Sequence, residues 1–302
     1  MTPLQQKLLL PGKTENLIPS SQFQVIRILN FFIYSNLFIA VCAILMVDQT
    51  YDLLLHSSPD KYFLGFVFSA TISSYSFHWY LTSQSLIESP RIEWLKKHRV
   101  FHLVFFLVGL ISSAIFFFLL LPNWYWLSLS AIITFLYSAP KIPHPFFRGL
   151  RKVAIGKTIF LALVWTYVTA MLPLIIADSP FTIPAVLFVI SRFFFIYAIC
   201  IMFDFRDRAD DKAAGIRSMV TWFSEKKVDQ LFFLSLLIFA ICTFCLLRYN
   251  FSVLSITLLL IPGVITAAIY DYAKTNFSDY LYYLLLDGLM MFSALLMLVF
   301  HI

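Results

Sequence analysis

Long apolar stretches separated by short polar breaks cover almost the whole chain. Because a membrane-spanning helix needs about 20 mostly apolar residues, the breaks at charged and Pro-rich positions predict nine spans. The approximate segments are residues 24–46, 61–82, 101–121, 124–140, 153–176, 183–203, 230–248, 252–270 and 280–301. The pattern predicts an all-α, polytopic membrane protein. Residues 24–302 would form a single transmembrane domain after a cytosolic lead-in of residues 1–23.

The composition supports this interpretation. The chain is 61% hydrophobic and 13% charged, whereas soluble domains are about half apolar and about a quarter charged. This balance excludes a soluble globular protein. The net charge of +6 is what basic cytoplasmic loops produce in a membrane protein, so we expect no nucleic-acid partner.

Lys and Arg fall mainly on one side of the predicted bilayer. With nine spans, 19 of the 22 Lys and Arg residues lie on the side of the N-terminus. Since basic residues concentrate in cytoplasmic loops, we expect a cytoplasmic N-terminus and a C-terminus on the opposite side. The protein would be an integral multi-pass protein of the cell inner membrane. The large loops after the second, fourth and sixth spans then face the cytoplasm, and chemistry is expected there.

One acidic group stands at the cytoplasmic end of the sixth span. Asp204, Asp207 and Asp211 are spaced i, i+3 and i+7, which on a helix places them within a sector of about 60°. Aligned carboxylates repel one another unless a cation lies among them, and Mg²⁺ bridging to a phosphate would satisfy them. Alternatively, they belong to a solvated helix end whose charge is neutralised by the basic residues between and after them.

The same stretch resembles a known motif. Asp204-x-x-Asp207-x-x-x-Asp211-x-x-x-Gly215-x-x-Ser218 is similar, in its complete spacing, to the second acidic motif of the UbiA superfamily of intramembrane prenyltransferases. The resemblance covers essentially the whole chain. It implies nine helices around a central cavity.

Three shorter stretches agree with this resemblance. Tyr137-Ser138-Ala139-Pro140-Lys141 is similar to the Tyr-Ser-x-Pro turn that follows the fourth helix of the family. Lys157 with Trp165 resembles the pattern of its fifth helix, and Asp287-Gly288 is similar to a feature of its last helix. Each of these matches is weak on its own.

The first acidic motif of the family has no counterpart in this chain. It would lie at the end of the second helix. Residues 75–85 contain no acidic side chain, and the next acidic residue is Glu88. In the family this motif reads Asn-Asp-x-x-Asp-x-x-x-Asp or a close variant. Ser76 or His78 would stand in the place of its Asn, and Thr82 and Ser83 in the region of its aspartates. The departure implies the loss of one Mg²⁺ site. The chain would then work with one carboxylate cluster plus cations, use a different lipid, or bind a lipid without turning it over.

The resemblance implies an enzyme that transfers a prenyl group, an alkyl group other than methyl, from a prenyl diphosphate to a lipophilic acceptor with Mg²⁺ as cofactor. The implied catalytic and metal-binding residues are Asp204, Asp207 and Asp211. The substrate-binding candidates are Lys141, Lys157, Arg208, Arg151, Tyr137, Tyr197 and His78. The alternative is a non-catalytic relative that binds a lipid or isoprenoid within the membrane.

The positions of four of these candidates point to function independently of the resemblance. Lys157 lies inside an apolar helix, where a charge is costly unless it is used or reaches the interface. Arg208 is about 40° from Asp204 on the helix, and Tyr197 lies two turns deeper on nearly the same face, as an aromatic wall for an isoprenoid or as ordinary packing. His78 could ligate metal, meet a phosphate when protonated, or hydrogen-bond a neighbouring helix.

Two further charges lie within predicted spans. Arg192 and Asp287 are both placed at membrane depth, where an ionisable side chain is a functional-site hypothesis by default. A structural ion pair between them explains the pattern equally well.

Overall fold

The structure is a computed structural model, and it describes residues 20–82, 89–142, 144, 157–213, 215 and 218–301. Within these ranges every regular element is helical, so the all-α class is confirmed. The helices are α1 (Ser20–Tyr34), α2 (Leu37–Leu55), α3 (Lys61–Leu81), α4 (Pro90–Lys97), α5 (Arg99–Leu119), α6 (Trp124–Ser138), α7 (Lys157–Ile176), α8 (Ile183–Ala213), α9 (Met219–Trp222), α10 (Glu225–Tyr249), α11 (Val253–Ala273) and α12 (Leu281–Phe300). Most of the predicted lead-in lies outside the described residues.

Seven of the described helices are long and apolar enough to cross a membrane. They are α2, α5, α7, α8, α10, α11 and α12. The other two predicted spans correspond to α3, which has 21 residues but many Ser, Thr and Tyr side chains, and to α6, which has 15 residues. The polytopic helical architecture is confirmed, and the count of nine spans stays a prediction.

The first predicted span, residues 24–46, is divided by a turn at Asn36. The backbone of Asn36 is left-handed, with φ of 70°, and α2 begins directly after it. The Asn36 side chain donates a hydrogen bond to Ser76 Oγ (3.1 Å) and accepts one from Arg91 Nη2 (2.8 Å). These partners are distant along the chain, so the pattern of apolar residues around position 36 does not indicate the turn. The apolar helix of this region is therefore α2, which ends at Leu55 and not at residue 46.

Among the seven long apolar helices of the described residues, α8 and α2 are the most buried, and α7 and α10 both pack against α8. In the second half of α8 the aliphatic side chains Ile196, Ile199 and Ile201 are almost completely enclosed, whereas Ile183 and Val186 near its beginning are exposed. The helix continues beyond the predicted end at residue 203 as far as Ala213. The acidic stretch is therefore helical, as the sequence predicted, and rigidly continuous with the core.

The helices α3 and α5 approach each other closely at Gly109. A Cβ atom on this glycine would lie 2.8 Å from the carbonyl oxygen of Ser69 and 2.9 Å from the amide nitrogen of Ser73. Such distances leave no room for any side chain. On its outer side α5 exposes large apolar residues, including Ile111 at 61% and Phe118 at 70%, which suits a helix surrounded by lipid.

The ends of several helices that are distant in sequence lie close together at one end of the bundle. Lys141, in the turn after α6, contacts Thr82 at the end of α3, and Lys157, at the start of α7, contacts Asp211 near the end of α8. We call this region, defined by these four residues, the site end of the bundle. Which side of the membrane the site end faces stays a prediction.

Candidate active site

Asp204 is the innermost of the three acidic residues on α8. Its side chain is 3% exposed, and its Oδ2 accepts a hydrogen bond from the hydroxyl of Thr158 on α7. A buried carboxylate without a donor would cost several kcal/mol in a membrane helix. The Thr158 hydroxyl therefore stabilises Asp204 in a fixed orientation between α7 and α8.

Asp207 and Asp211 share the ammonium group of Lys157. The Lys157 Nζ atom lies 3.3 Å from Asp207 Oδ2 and 3.2 Å from Asp211 Oδ1. The lysine is the first described residue of α7, and its side chain reaches across to the adjacent helix α8. Two carboxylates that approach one cation so closely form a site for positive charge. The sequence predicted both acids and the lysine, and the structure brings the three together.

Arg206 completes the ion pairs around Asp207. Its Nε and Nη2 atoms lie 2.9 Å and 2.7 Å from Asp207 Oδ1, and its guanidinium lies 4.5 Å from the centre of the Tyr283 ring of α12. The Nη1 atom of Arg206 is buried and has no hydrogen-bond partner among the residues that the structure describes. By contrast Arg208, which the helical projection favoured, is exposed. The structure does not place it among the buried groups of the site.

Opposite α8, Lys141 is held at the end of α3. Its Nζ donates hydrogen bonds to His78 Nε2 (2.8 Å) and to Thr82 Oγ1 (2.6 Å). Because an ammonium group only donates, His78 accepts at Nε2 and carries its own proton on Nδ1, which lies 3.3 Å from Ser138 Oγ. The ring of Tyr137 stacks on His78 with 5.2 Å between centroids. The predicted substrate-binding residues Lys141, His78 and Tyr137 are thus one connected group.

The ammonium group of Lys141 is electrostatically unusual. Burial, together with repulsion by the Lys157 ammonium, lowers the pKa of the Lys141 side chain to about 7. No carboxylate contacts Lys141 in the part of the chain that the structure describes. The ammonium group of a partly buried lysine with neutral partners either loses its proton more readily or is stabilised by a bound anion.

Arg91, at the beginning of α4, is a buried cation that sequence reasoning missed. Its guanidinium lies 4.1 Å from the centre of the Trp79 ring and 4.0 Å from that of Tyr283. Its Nη2 donates to Asn36, and its backbone N–H donates to Asp279 Oδ2 (2.7 Å). In the sequence Arg91 was one of many loop cations. Only the Pro90 that begins α4 and the preceding Ser89 cap marked its position.

The two charges at membrane depth do not pair. Arg192 Nη2 donates to Gln49 Oε1 (2.7 Å), and none of the described ion pairs includes Arg192. Asp287 is 8% exposed and lies closer to Arg91 and Arg206, whose charges act on it. The pairing of Arg192 with Asp287 that the sequence permitted is therefore not among the contacts of the described residues.

Aromatic side chains line the bundle beneath the acidic residues. Tyr197 is 4% exposed and stacks parallel to Phe193, with 5.9 Å between ring centroids. Trp165 Nε1 donates to the Tyr75 hydroxyl (3.2 Å). Below Asp204 these side chains present mainly apolar ring surfaces, and the Trp165 N–H is already hydrogen-bonded to Tyr75. The predicted substrate-binding residue Arg151, like Ser83, lies outside the described residues.

Comparison with known protein families assigns the chain to one of them. The profile of the UbiA prenyltransferase family matches residues 89–280, a range that contains the start of α4, the acidic end of α8 and Lys157. The chain belongs to the UbiA prenyltransferase family. A search of curated proteins gave no match.

The UbiA assignment raises the question of whether the residues at the site end fit Mg²⁺. No three side chains of His, Cys, Asp or Glu are grouped as a metal site within the described ranges. Asp207 and Asp211 nevertheless share one cation, and Mg²⁺ in phosphate-binding sites is typically held by one or two carboxylates together with water and phosphate oxygens. The pair fits this donor set. Asp204, which Thr158 holds, faces a different partner.

Proposed function

We propose that this protein transfers an isoprenyl group from a prenyl diphosphate to a lipophilic acceptor in the membrane, with Mg²⁺ as cofactor. The observation that carries the proposal is the Lys157 ammonium group between Asp207 and Asp211. These two carboxylates and their cation lie at the end of an apolar bundle, and we infer that the charged headgroup of the substrate binds there while its apolar chain lies among the apolar side chains. Family membership supports the same type of reaction.

Asp207 and Asp211 would hold the metal ion at this site, and Mg²⁺ bound there would neutralise the leaving diphosphate. Lys157 would then also bind the substrate. With the metal ion between the two carboxylates, the Lys157 ammonium group would turn toward the diphosphate oxygens and donate hydrogen bonds to them. Thr158 keeps Asp204 in place beneath the pair, so its side chain is held in one orientation next to the carboxylates that would bind the metal ion.

The reaction breaks the C–O bond between the allylic carbon and the diphosphate, which leaves with the bonding electrons. The acceptor then forms a bond to that carbon and loses a proton. An allylic cation must be protected from water during this step. The buried rings of Tyr197 and Trp165 suit this protection because they present aromatic faces and few water-binding groups beneath Asp204.

The proposal includes a place in the cell. A prenyl diphosphate has a water-soluble headgroup, so the site end would face the cytoplasm, as the distribution of Lys and Arg predicts. The N-terminus would then be cytoplasmic and the C-terminus on the opposite side, within a single transmembrane domain in the cell inner membrane. Membrane lipid would surround the exposed apolar side chains of α5.

The direct test is release of pyrophosphate by the purified protein in detergent or nanodiscs. It is incubated with Mg²⁺, a series of prenyl diphosphates of increasing length and a panel of phenolic and quinone-precursor acceptors. We expect Mg²⁺-dependent release that Asp207→Asn and Asp211→Asn each reduce at least about a hundredfold, consistent with loss of electrostatic stabilisation. Asp271→Asn, at an exposed acid on α11, is the matched control and should keep full activity.

Two results would contradict the proposal. One is the absence of release with every donor, which would favour the non-catalytic alternative, a membrane protein that binds an isoprenoid. Direct binding of a radiolabelled prenyl diphosphate, without turnover, would then identify that alternative. The other is a release that Asp207→Asn and Asp211→Asn leave unchanged.

A further inference from the structure

The inward face of α12 carries an acid one turn deeper than the arginines at the site end. Tyr283 lies on this face, and the centre of its ring is 4.0 Å from the guanidinium of Arg91 and 4.5 Å from that of Arg206. Asp287 follows Tyr283 by four residues, so it lies on the same side of α12, about 6 Å further from the site end. Asp287 is 8% exposed. Its carboxylate therefore lies inside the bundle, below both arginines.

The Asp287 carboxylate has no partner among the residues that the structure describes. Neither a hydrogen bond nor an ion pair is formed with it there, although the charges of Arg91 and Arg206 act on it. Asp204, which is also buried, differs because the Thr158 hydroxyl donates to it. A buried carboxylate without a donor costs several kcal/mol, and an ionisable group at membrane depth is by default a functional-site hypothesis. Asp287 is thus an acid that the fold of the chain alone does not account for.

The helix α3 contributes a hydroxyl group at the same depth. Trp79 packs edge-on against Tyr283, with 5.7 Å between ring centroids, and Tyr75 lies one turn deeper on α3, as Asp287 does on α12. The charge of Asp287 acts on Tyr75. The Tyr75 oxygen accepts the N–H of Trp165 (3.2 Å), and the Tyr75 O–H has no acceptor among the described residues. One level of the bundle therefore presents both an acceptor, the carboxylate, and a donor, the phenol.

These two groups are complementary to a hydroxyl group of the acceptor. A hydroxyl has one proton to donate and two lone pairs that accept, so its proton fits Asp287 and its oxygen fits the O–H of Tyr75. The diphosphate headgroup would bind at the site end, and its allylic chain would extend from there toward this level. The acceptor oxygen and the allylic carbon can then meet just below the diphosphate, among aromatic side chains that exclude water.

We propose that Asp287 is the general base that takes the proton of a hydroxyl-bearing acceptor, a lipophilic phenol or alcohol, and that Tyr75 orients the acceptor oxygen. The allylic C–O bond breaks and the diphosphate leaves with the bonding electrons. The acceptor oxygen forms the new bond to the allylic carbon while its own O–H bond breaks, and the proton passes to the Asp287 carboxylate and from there to solvent. The product is a prenyl ether. This inference rests on the proposed function for the donor and goes beyond it in assigning the base and the class of acceptor.

The test compares two acceptors of different acidity, an alkylphenol and the matching alkyl nitrophenol, with the full-length protein in nanodiscs. At about pH 8 the alkylphenol keeps its proton and needs a base, whereas the nitrophenol is already mostly ionised. We expect Asp287→Asn to reduce prenyl ether formation from the alkylphenol at least about a hundredfold, but from the nitrophenol less than about fivefold. A base is required only by the acceptor that still has its proton, so the difference between the two losses measures this role.

Ligand binding separates this role from damage to the diphosphate site. Inorganic pyrophosphate with Mn²⁺ should bind Asp287→Asn at least as tightly as the unmodified protein, because the variant loses a negative charge and no phosphate contact. The alkylphenol, titrated in the presence of both, should bind Asp287→Asn and Tyr75→Phe at least about threefold more weakly, since each variant weakens one hydrogen bond to its oxygen. Asp48→Asn, at a half-buried acid toward the other end of α2, is the matched control and should change neither binding nor rate.

Equal losses with the two acceptors in Asp287→Asn would overturn the inference, because Asp287 would then act as a counter-ion of Arg91 and Arg206 and not as a base. Alkylphenol binding that is unchanged in Asp287→Asn and in Tyr75→Phe would overturn it as well. If Asp287→Asn fails to fold, Asp287→Glu takes its place, since a carboxylate displaced by one methylene should also lose activity on the alkylphenol alone.

The binding measurement distinguishes this inference from the proposed function. Alkylphenol binding that depends on Asp287, without turnover of any prenyl diphosphate, would support the acceptor site while the proposed function fails. Turnover that Asp207→Asn abolishes and Asp287→Asn leaves unchanged would support the proposed function while this inference fails.

Discussion

Lys157 and Asp211 face each other across α7 and α8, with the lysine Nζ 3.2 Å from Asp211 Oδ1 and 3.3 Å from Asp211 Oδ2. The same ammonium lies 3.3 Å from Asp207 Oδ2. A monovalent side-chain cation thus occupies the position between the two carboxylates that a divalent ion would need. Lys157 is both the counter-ion of the acid pair and its competitor for metal.

This competition predicts opposite effects of Lys157→Met on two ligands. Without the ammonium, the repulsion between Asp207 and Asp211 is uncompensated, so Mn²⁺ should bind the variant about tenfold more tightly, a change of ~1.4 kcal/mol. Pyrophosphate in the presence of Mn²⁺ should bind more weakly, because one phosphate contact is lost. Calorimetric titration of each ligand measures both changes.

The thermal unfolding of Lys157→Met provides an independent check. Lys157 and Asp207 are 20% and 28% exposed, so removing the lysine should destabilise the protein by less than the ~3–5 kcal/mol of a fully buried pair. The variant should still unfold at a lower temperature without metal and recover more than the unmodified protein when Mn²⁺ is added. A variant whose Mn²⁺ affinity falls would show that Lys157 supports the metal site and does not compete for it. Lys227→Met serves as the control for loss of a positive charge.

The sequence predicted the acid pair and its lysine because their positions follow from helical spacing and from the expense of a charge in an apolar helix. It did not predict which arginine joins them. The projection of α8 favoured Arg208, since it considered angles on one helix alone. The structure pairs Arg206 with Asp207 because the Tyr283 ring of α12 receives the guanidinium, and neighbouring helices leave no sign in the periodicity of α8.

The turn at Asn36 shows the same limit. The apolar run from residue 24 to 46 is continuous in sequence, so the pattern predicts one span. The interruption depends on hydrogen bonds to Ser76 and Arg91, which come from two other helices. Tertiary contacts can override helical periodicity in this way, and such contacts are the part of the fold that a single sequence does not show.

The Arg91 clamp should be specific for arginine. Arg91→Lys keeps the charge, but it loses the planar group that lies on Trp79 and Tyr283 and the geometry of the bond to Asn36. Arginine and lysine are not equivalent at stacked sites, and we expect a loss of about 1–3 kcal/mol. Thermal unfolding in detergent measures it.

A double-mutant cycle with Asn36→Ala separates the hydrogen bond from the stacking in this clamp. If the two residues act together, the effect of Asn36→Ala should become much smaller in the Arg91→Lys background. Fully additive effects would contradict a coupled clamp. Arg99→Lys, at a less enclosed arginine that lies over the Tyr80 ring, is the matched control and should change stability by less than about 0.5 kcal/mol.

The contact between α3 and α5 should not tolerate even one methyl group. In Gly109→Ala the new Cβ meets backbone atoms of Ser69 and Ser73 at 2.8 Å and 2.9 Å, and a helix backbone cannot give way locally. We expect a loss of about 1–3 kcal/mol from overpacking, seen as a lower unfolding temperature. Gly288→Ala is the matched substitution, because its Cβ would lie 3.3 Å from the tip of the Phe38 ring, which can rotate. Equal effects of the two variants would contradict this account.

The lowered pKa of Lys141 predicts that diphosphate binding takes up a proton above neutral pH. Burial and Lys157 lower this pKa to about 7, so at pH 8 the Lys141 side chain of the free protein is mostly neutral. A bound anion favours the charged form and raises the pKa, which requires a proton from solvent. Other charges that act on Lys141 are those of Asp207, Asp211 and Arg206.

Calorimetric titration of pyrophosphate at pH 8, in two buffers with different ionisation enthalpies, measures this uptake. We expect a substantial fraction of one proton for the unmodified protein and much less for Lys141→Arg, because arginine stays charged throughout this range. In the unfolded chain a lysine has a pKa of about 10.4. Between about pH 7 and pH 10 the unfolded state therefore binds more protons at this position, and the contribution of Lys141 to stability rises with pH. Proton uptake that is the same in Lys141→Arg as in the unmodified protein would assign the titration to another group.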